Sequence, residues 1–249
     1  MDIDIMVALI SGITSILVVV ITQLLLNLKD RRKRKREEIE RIQKEYINPL
    51  RFLLAENYFR IEEALNKFRD SPERTANVLV IRKPEDVCRQ ELSWFTGSGC
   101  YLISNCYYTA CLFALLEQIR EKVPYLKLSK KKDTRIMFLI NNLVVDFRHG
   151  ANIYYVIQRT IGRDLYSERE KRVLTYKEFC SLLRDQNNIE WYATLIWFYL
   201  SMNNWNKDII QLLLEDLKEL TEFLDDIVSG GNTIDEKVKS ESERGKNYG

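Results

Sequence analysis

The chain has 249 residues, with 38 Lys and Arg against 36 Asp and Glu, and a single histidine. A net charge of +2 provides no general attraction for nucleic acid, and one histidine excludes a multi-histidine metal centre. With 46% hydrophobic residues, 9 Gly and 4 Pro, the composition is that of a folded chain, and the part beyond the first 46 residues is long enough to bury one sizeable core.

Ile5 to Leu28 is a run of 24 positions without a charge. As a helix it rises about 36 Å, enough to cross a hydrocarbon core of about 30 Å with some tilt. Fifteen of the 24 are Ile, Leu or Val, which favours insertion by about 5–9 kcal/mol. Asp2 and Asp4 precede the run in place of a positive n-region, the pattern of an uncleaved anchor. Lys29, Arg31, Arg32, Lys33, Arg34, Lys35 and Arg36 then make seven of eight positions basic. By the positive-inside rule the N-terminus lies outside the cell membrane and residues 29–249 lie in the cytoplasm. The collar is an orientation signal and a lipid-binding segment, gaining about 1 kcal/mol per charge from anionic lipids. Ala8, Ser11, Gly12 and Ser15 give two small-xxx-small spacings, an oligomerisation face where helix backbones can approach.

Nothing helix-breaking stands between this run and Pro49, so the helix should continue through residues 29–46 and join the anchor stiffly to the rest of the chain. Asn48 and Pro49 read as the cap and first position of a helix reaching about Arg69. Val78 to Ile81 reads as an edge strand or a buried loop. Pro84, Glu85 and Asp86 open a helix that should end between Trp94 and Gly97. Leu92 to Leu116 is a second run of 25 uncharged positions. Its glycines and polar side chains, and the lysines that a crossing would carry outside, favour a buried helix from about Gly99 to Lys122, capped by Ser98.

Lys127, Lys130, Lys131, Lys132 and Arg135 form a basic segment suited to anionic lipid or a small anionic ligand, with Arg159 and Arg163 as later contributors; the plainer reading is a solvated loop. From Ile136 the pattern predicts one helix to about Gly162, kinked at Gly150. Thr175 and Glu178 make a capping box for a further helix, and Ile189 to Met202 reads as an aromatic core helix. Asn204 should cap a final helix from Trp205 to about Ser229, with seven acids against Lys207 and Lys218. Its charge should repel an anionic leaflet. The tail from residue 232 is charged, low in apolar residues and expected to be disordered.

No P-loop, nucleotide-binding glycine turn, Gly-x-Ser-x-Gly elbow or His-Glu-x-x-His helix occurs, so no catalytic residue, metal ligand or cofactor is assigned. Glu117, Glu121, Asp146 and the acids of the last helix read as solvated faces. His149 reads as a capping or hydrogen-bonded residue, with a ligand or proton-sensing role as the alternative. The five cysteines fit neither a zinc nor a redox spacing and read as buried thiols.

The fold expected is mainly α: a transmembrane anchor at 1–28, a basic juxtamembrane helix at 29–46, a cytoplasmic multi-helix bundle at 47–229 and a tail at 230–249. The function expected is a single-pass, non-enzymatic interaction module or scaffold at the inner leaflet. Its partners are the membrane, anionic lipids and either another protein or a copy of itself. The alternative is a ligand-gated oligomeric membrane effector that senses a small anionic ligand; a membrane-tethered enzyme ranks lower. In architecture alone the chain resembles bacterial membrane proteins that include sensor-coupled and phage-defence effectors.

Overall fold

In the computed structural model, the described residues are 3–67, 81–122, 128–201, 207–228 and 234; the side chains at 3–11, 13, 16, 66, 67 and 122 lie outside that description. The chain is mainly helical and divides into two compact units, Met1–Lys44 and Glu45–Gly249. The first unit is one helix, α1 (Ile3–Ile42). Among the described residues no helix is long and apolar enough to cross a membrane. The span expected at residues 5–28 falls in part on side chains outside the description, at 5–11, 13 and 16.

The second unit opens differently from the sequence expectation. Asn48 and Pro49 do not start a helix from a capped end: Gln43–Ile47 forms a π turn, and α2 (Asn48–Lys67) continues from it without a break. Proline lacks an N–H and its ring crowds the carbonyl four residues earlier, which here is Glu45, inside the π turn. A widened turn relieves that crowding. Residues 78–80 of the expected strand lie outside the described residues, and Ile81 is buried without strand pairing.

The single helix expected after Pro84 is two short ones, α3 (Glu85–Cys88) and α4 (Leu92–Thr96). The Asp86 carboxylate accepts the backbone N–H groups of Arg82 and Lys83, which fixes the entry to α3. Beyond α4 the chain wraps onto Trp94: the Gly99 N–H donates to the Trp94 carbonyl at 2.8 Å, and a Cβ on Gly99 would stand 2.4 Å from the indole. Helix α5 (Cys100–Lys122) then runs through the centre of the unit. Its uncharged stretch is explained by burial, since Leu102, Ile103, Cys106, Ala110 and Leu112 are all enclosed.

Helix α6 (Lys130–Ala151) and helix α7 (Tyr155–Leu165) replace the one long helix expected to Gly162. The break falls at Asn152, whose φ of 52° is the left-handed conformation that ends helices and that Asn tolerates well. The helix runs on through Gly150, which sits against Ile209 and Ile210. A hairpin of two-residue strands, β1 (Tyr166–Ser167) and β2 (Arg172–Val173), pairs Tyr166 with Val173 where the sequence pattern predicts no strand. Helix α8 (Tyr176–Leu183) carries the expected Thr175–Glu178 capping box. Arg172 also clamps the Glu178 carboxylate, holding it well below the usual carboxylate range. Helices α9 (Ile189–Leu200) and α10 (Lys207–Val228) complete the unit.

The packing order is a ring around α5. Helices α2, α7, α8 and α9 lie on it, and α6 and α10 pair with each other while α10 also lies on α2. Three buried polar groups lock α2, α5 and α9: Asn57 donates to the Tyr108 carbonyl, Thr109 donates to the Asn57 side-chain oxygen at 2.6 Å, and Tyr199 completes the chain to Thr109 at 2.7 Å. Arg51 of α2 and Asp225 of α10 form a largely buried ion pair.

Helix α7 meets α5 at backbone contact, because a Cβ on Gly162 would lie 2.6 Å from the Phe113 carbonyl oxygen. Backbone cannot yield as a flexible side chain would. Gly162→Ala should therefore lower stability by about 1–3 kcal/mol despite its better helix propensity. Gly150→Ala, whose new methyl would first meet Ile209 at 3.4 Å, should be close to neutral. Urea unfolding monitored by far-ultraviolet circular dichroism separates the two.

Candidate functional site

The basic segment is not a solvated loop. Its described part begins helix α6: Ser129 caps the helix by accepting the Lys132 N–H at 3.2 Å, and Lys130, Lys131, Lys132 and Arg135 occupy the first two turns. Lys127 lies outside the described residues. Cations at a helix N-terminus oppose the helix dipole, so three consecutive lysines there weaken the helix locally. The Arg135 guanidinium is turned onto Glu219 of α10 and lies 5.1 Å from the centre of the Phe138 ring.

Arg159 and Arg163 do not join this segment. Both reach the buried Glu117 at the end of α5: Arg159 donates through Nε at 3.0 Å, and Arg163 Nη2 stands 3.0 Å from the same oxygen. Arg163 also lies 3.6 Å from Glu121. Arg120 donates to Asn141 of α6. Between α5, α6 and α7, Glu117, Arg120 and Arg159 rim a recess of about 210 Å³, counted with the open solvent at its mouth and lined also by Phe113, Leu116, Val144 and Gln158. Gln158 is buried beneath it and gives both amide hydrogens to backbone carbonyls, while its side-chain oxygen has no protein partner among the described residues. A small polar recess with one orphan acceptor suits an ordered water.

The seam between α6 and α10 places acids where separate solvated faces were expected. Asp146 and Asp216 share a hydrogen bond. Burial, and then the Asp146 carboxylate, push Asp216 up to about 7; Glu219 and Glu215 act in the same sense. Asp146 is raised by burial, against the opposing influence of the Asp216 hydrogen bond and the neighbouring His149. Below about pH 7 the pair therefore keeps one proton. The seam runs antiparallel, with Arg135 against Glu219 near one end and Gly150 against Ile209 and Ile210 at the other. No local signal marks this pair in the sequence, because its members are 70 positions apart.

The remaining candidate residues are placed but not brought together. Gly12 and Ser15 are exposed on α1; the side chains of Ala8 and Ser11 lie outside the description. The collar from Lys29 to Arg36 is helical and exposed. All five cysteines are free thiols, with Cys106, Cys111 and Cys180 buried and Cys88 and Cys100 half-buried. Among the described residues no group of three His, Cys, Asp or Glu side chains could hold a metal ion. No family model matches the chain, and neither the curated proteins nor the solved structures contain a match to it.

The acid pair makes stability depend on pH with a definite sign. Asp216 holds its proton to about pH 7 in the folded chain, whereas an unfolded Asp releases it near about 3.9. The folded chain therefore binds more protons than the unfolded one across this window, so stability falls as pH rises from about 4 through 7. In a His149→Gln background, which removes the chain's one histidine, the urea midpoint should be lower at pH 8 than at pH 5. Asp216→Asn should flatten that difference.

Proposed function

We propose that this chain is a single-pass, membrane-anchored helical protein whose cytoplasmic domain serves as a non-enzymatic interaction module at the inner leaflet. The observation that carries this reading is the surface of α1. Leu17, Val18, Val19, Val20 and Ile21 are consecutive and all about half exposed or more, and five consecutive residues turn through more than a full helical circle. Leu24, Leu25, Leu26 and Leu28 extend the same apolar surface. A helix that is apolar on every side needs a non-aqueous surrounding, and the remainder of the uncharged run lengthens it toward the N-terminus.

The collar adjoins that surface, with Lys29 and Arg31 to Arg36 exposed at one end of it. It orients the helix and gathers anionic lipid. The second unit supplies the module, and its charged outer helices α6 and α10 supply the surface for a partner.

Two arginines at the centre of the apolar run test the anchor. Each costs about 2.5–3.5 kcal/mol on insertion, so Leu17→Arg with Val20→Arg should remove most of the favourable total. The unmodified full chain should remain with membranes through an alkaline carbonate wash, and the double variant should be released. Release of the unmodified chain would defeat the anchor.

A further inference from the structure

We propose that the outer faces of α6 and α10 form one self-complementary surface on which a second copy of this chain docks, about a two-fold axis running along the seam between the two helices. The second copy is the partner of the interaction module proposed above, and the assignment rests on that reading for the existence of a partner surface.

The two helices expose stripes of opposite charge. On α6, Lys131 and Arg135 are exposed beside Phe138 and Val145, which are themselves 51% and 48% exposed, whereas Arg148 lies to one side of this stripe, over the Tyr154 ring. On α10, Asp208, Glu215, Glu219 and Asp226 are exposed and Glu222 is half-exposed, around Leu212, 55% exposed. The Arg135–Glu219 pair bridges the stripes, so they lie side by side. Each stripe thus sets large apolar side chains within a charged border, the composition of an interface with an apolar centre and a polar rim.

Charge decides among the possible occupants. An anionic leaflet laid on this face would be attracted by α6 and repelled by the five acids of α10. A second copy turned about an axis across the seam would set cation against cation and acid against acid. Rotation about the seam itself exchanges the two sides, so that each basic stripe faces the acidic stripe of the other copy. The antiparallel seam sets the register: Lys131 of one copy faces Asp226 of the other, and Val145 faces Leu212.

The size of the face is adequate. Both helices have 22 residues, and two such helices, each about 33 Å long and about 10 Å wide, present about 650 Å² per copy. The total of about 1,300 Å² lies at the lower end of stable specific interfaces. Tethering to one membrane confines both copies to a plane and raises their effective concentration.

The test uses the full chain in mild detergent, with subunit count read by native mass spectrometry and affinity by sedimentation. A dimer is expected at low salt, weakened at least tenfold at high salt. Lys131→Glu should weaken it about tenfold, and so should Asp226→Lys. Both changes improve the helix dipole, at the start of α6 and the end of α10 respectively, so neither should harm folding; unchanged thermal melting would confirm that. Mixing the two variants should restore a heterodimer of near-native affinity, because the reversed stripes then match each other as well as the native ones do.

A monomer at low salt, or a mixture that fails to pair, overturns the proposal. A dimer indifferent to both reversals but lost in Gly12→Leu assigns association to α1 instead. Weakened binding of Lys131→Glu to phosphatidylserine vesicles, with the subunit count unchanged, makes the α6 face a lipid surface. Membrane release with the dimer intact defeats the anchor alone, and loss of the dimer with membrane retention defeats this assignment alone.

Discussion

The second unit is organised by one constraint: α5 carries no charge between Cys100 and Leu116, and from Thr109 to Ile119 every residue of it is buried, so that stretch needs cover on all sides. The other helices are disposed to meet that requirement. Helices α2, α7, α8 and α9 cover it, and α7 comes so close at Gly162 that backbone touches backbone. Glu117, the first charged residue after the stretch, is still buried and is held there by two arginines of α7. The close approach at Gly162 and the ion cluster one turn away are thus parts of the same contact. Helices α6 and α10 stand farther from α5, which leaves each of them one face for solvent or for a partner.

Charges inside this unit are handled in two distinct ways. The Arg51–Asp225 and Arg159–Glu117 contacts pair opposite charges, and the Asn57–Thr109–Tyr199 chain satisfies its buried hydrogen-bonding atoms. Such contacts specify one arrangement of helices, since removing either partner leaves a buried group uncompensated. At the α6–α10 seam, by contrast, two carboxylates meet, and a shared proton relieves their repulsion. Together with the lysines at the start of α6, this makes the seam the place where local electrostatics run against stability. Departures of that kind are expected where a surface has work beyond folding.

Helix existence is largely legible in the sequence, and helix interruption is not. The capping box at Thr175, the buried character of α5 and the apolar face of α10 all arise from periodicity and side-chain chemistry within a few residues. The π turn before Pro49 has no such mark, because Asn-Pro is an equally good opening for a new helix and only the preceding turn distinguishes the two. Gly150 is the more conspicuous candidate for a break than Asn152, although Asn is the other residue that readily adopts a left-handed φ. The hairpin at residues 166–173 has strands of two residues, too short for alternation to register. The Asp146–Asp216 and Arg159–Glu117 contacts depend on which helices become neighbours, and nothing local encodes that.

The shared proton at the α6–α10 seam has a thermodynamic counterpart. Asp216 is half-exposed and flanked by Glu215 and Glu219, so a cationic surface brought over α10 favours its ionised form and expels the proton. Docking of the proposed second copy on this face would then be accompanied by proton release, and by reciprocity it would tighten as the solution becomes more alkaline. The same rise in pH loosens the packing of α10 against α6 within each copy. Cohesion within the subunit and the proposed cohesion between subunits would thus carry proton couplings of opposite sign, with the balance between them turning over in the pH range where Asp216 titrates.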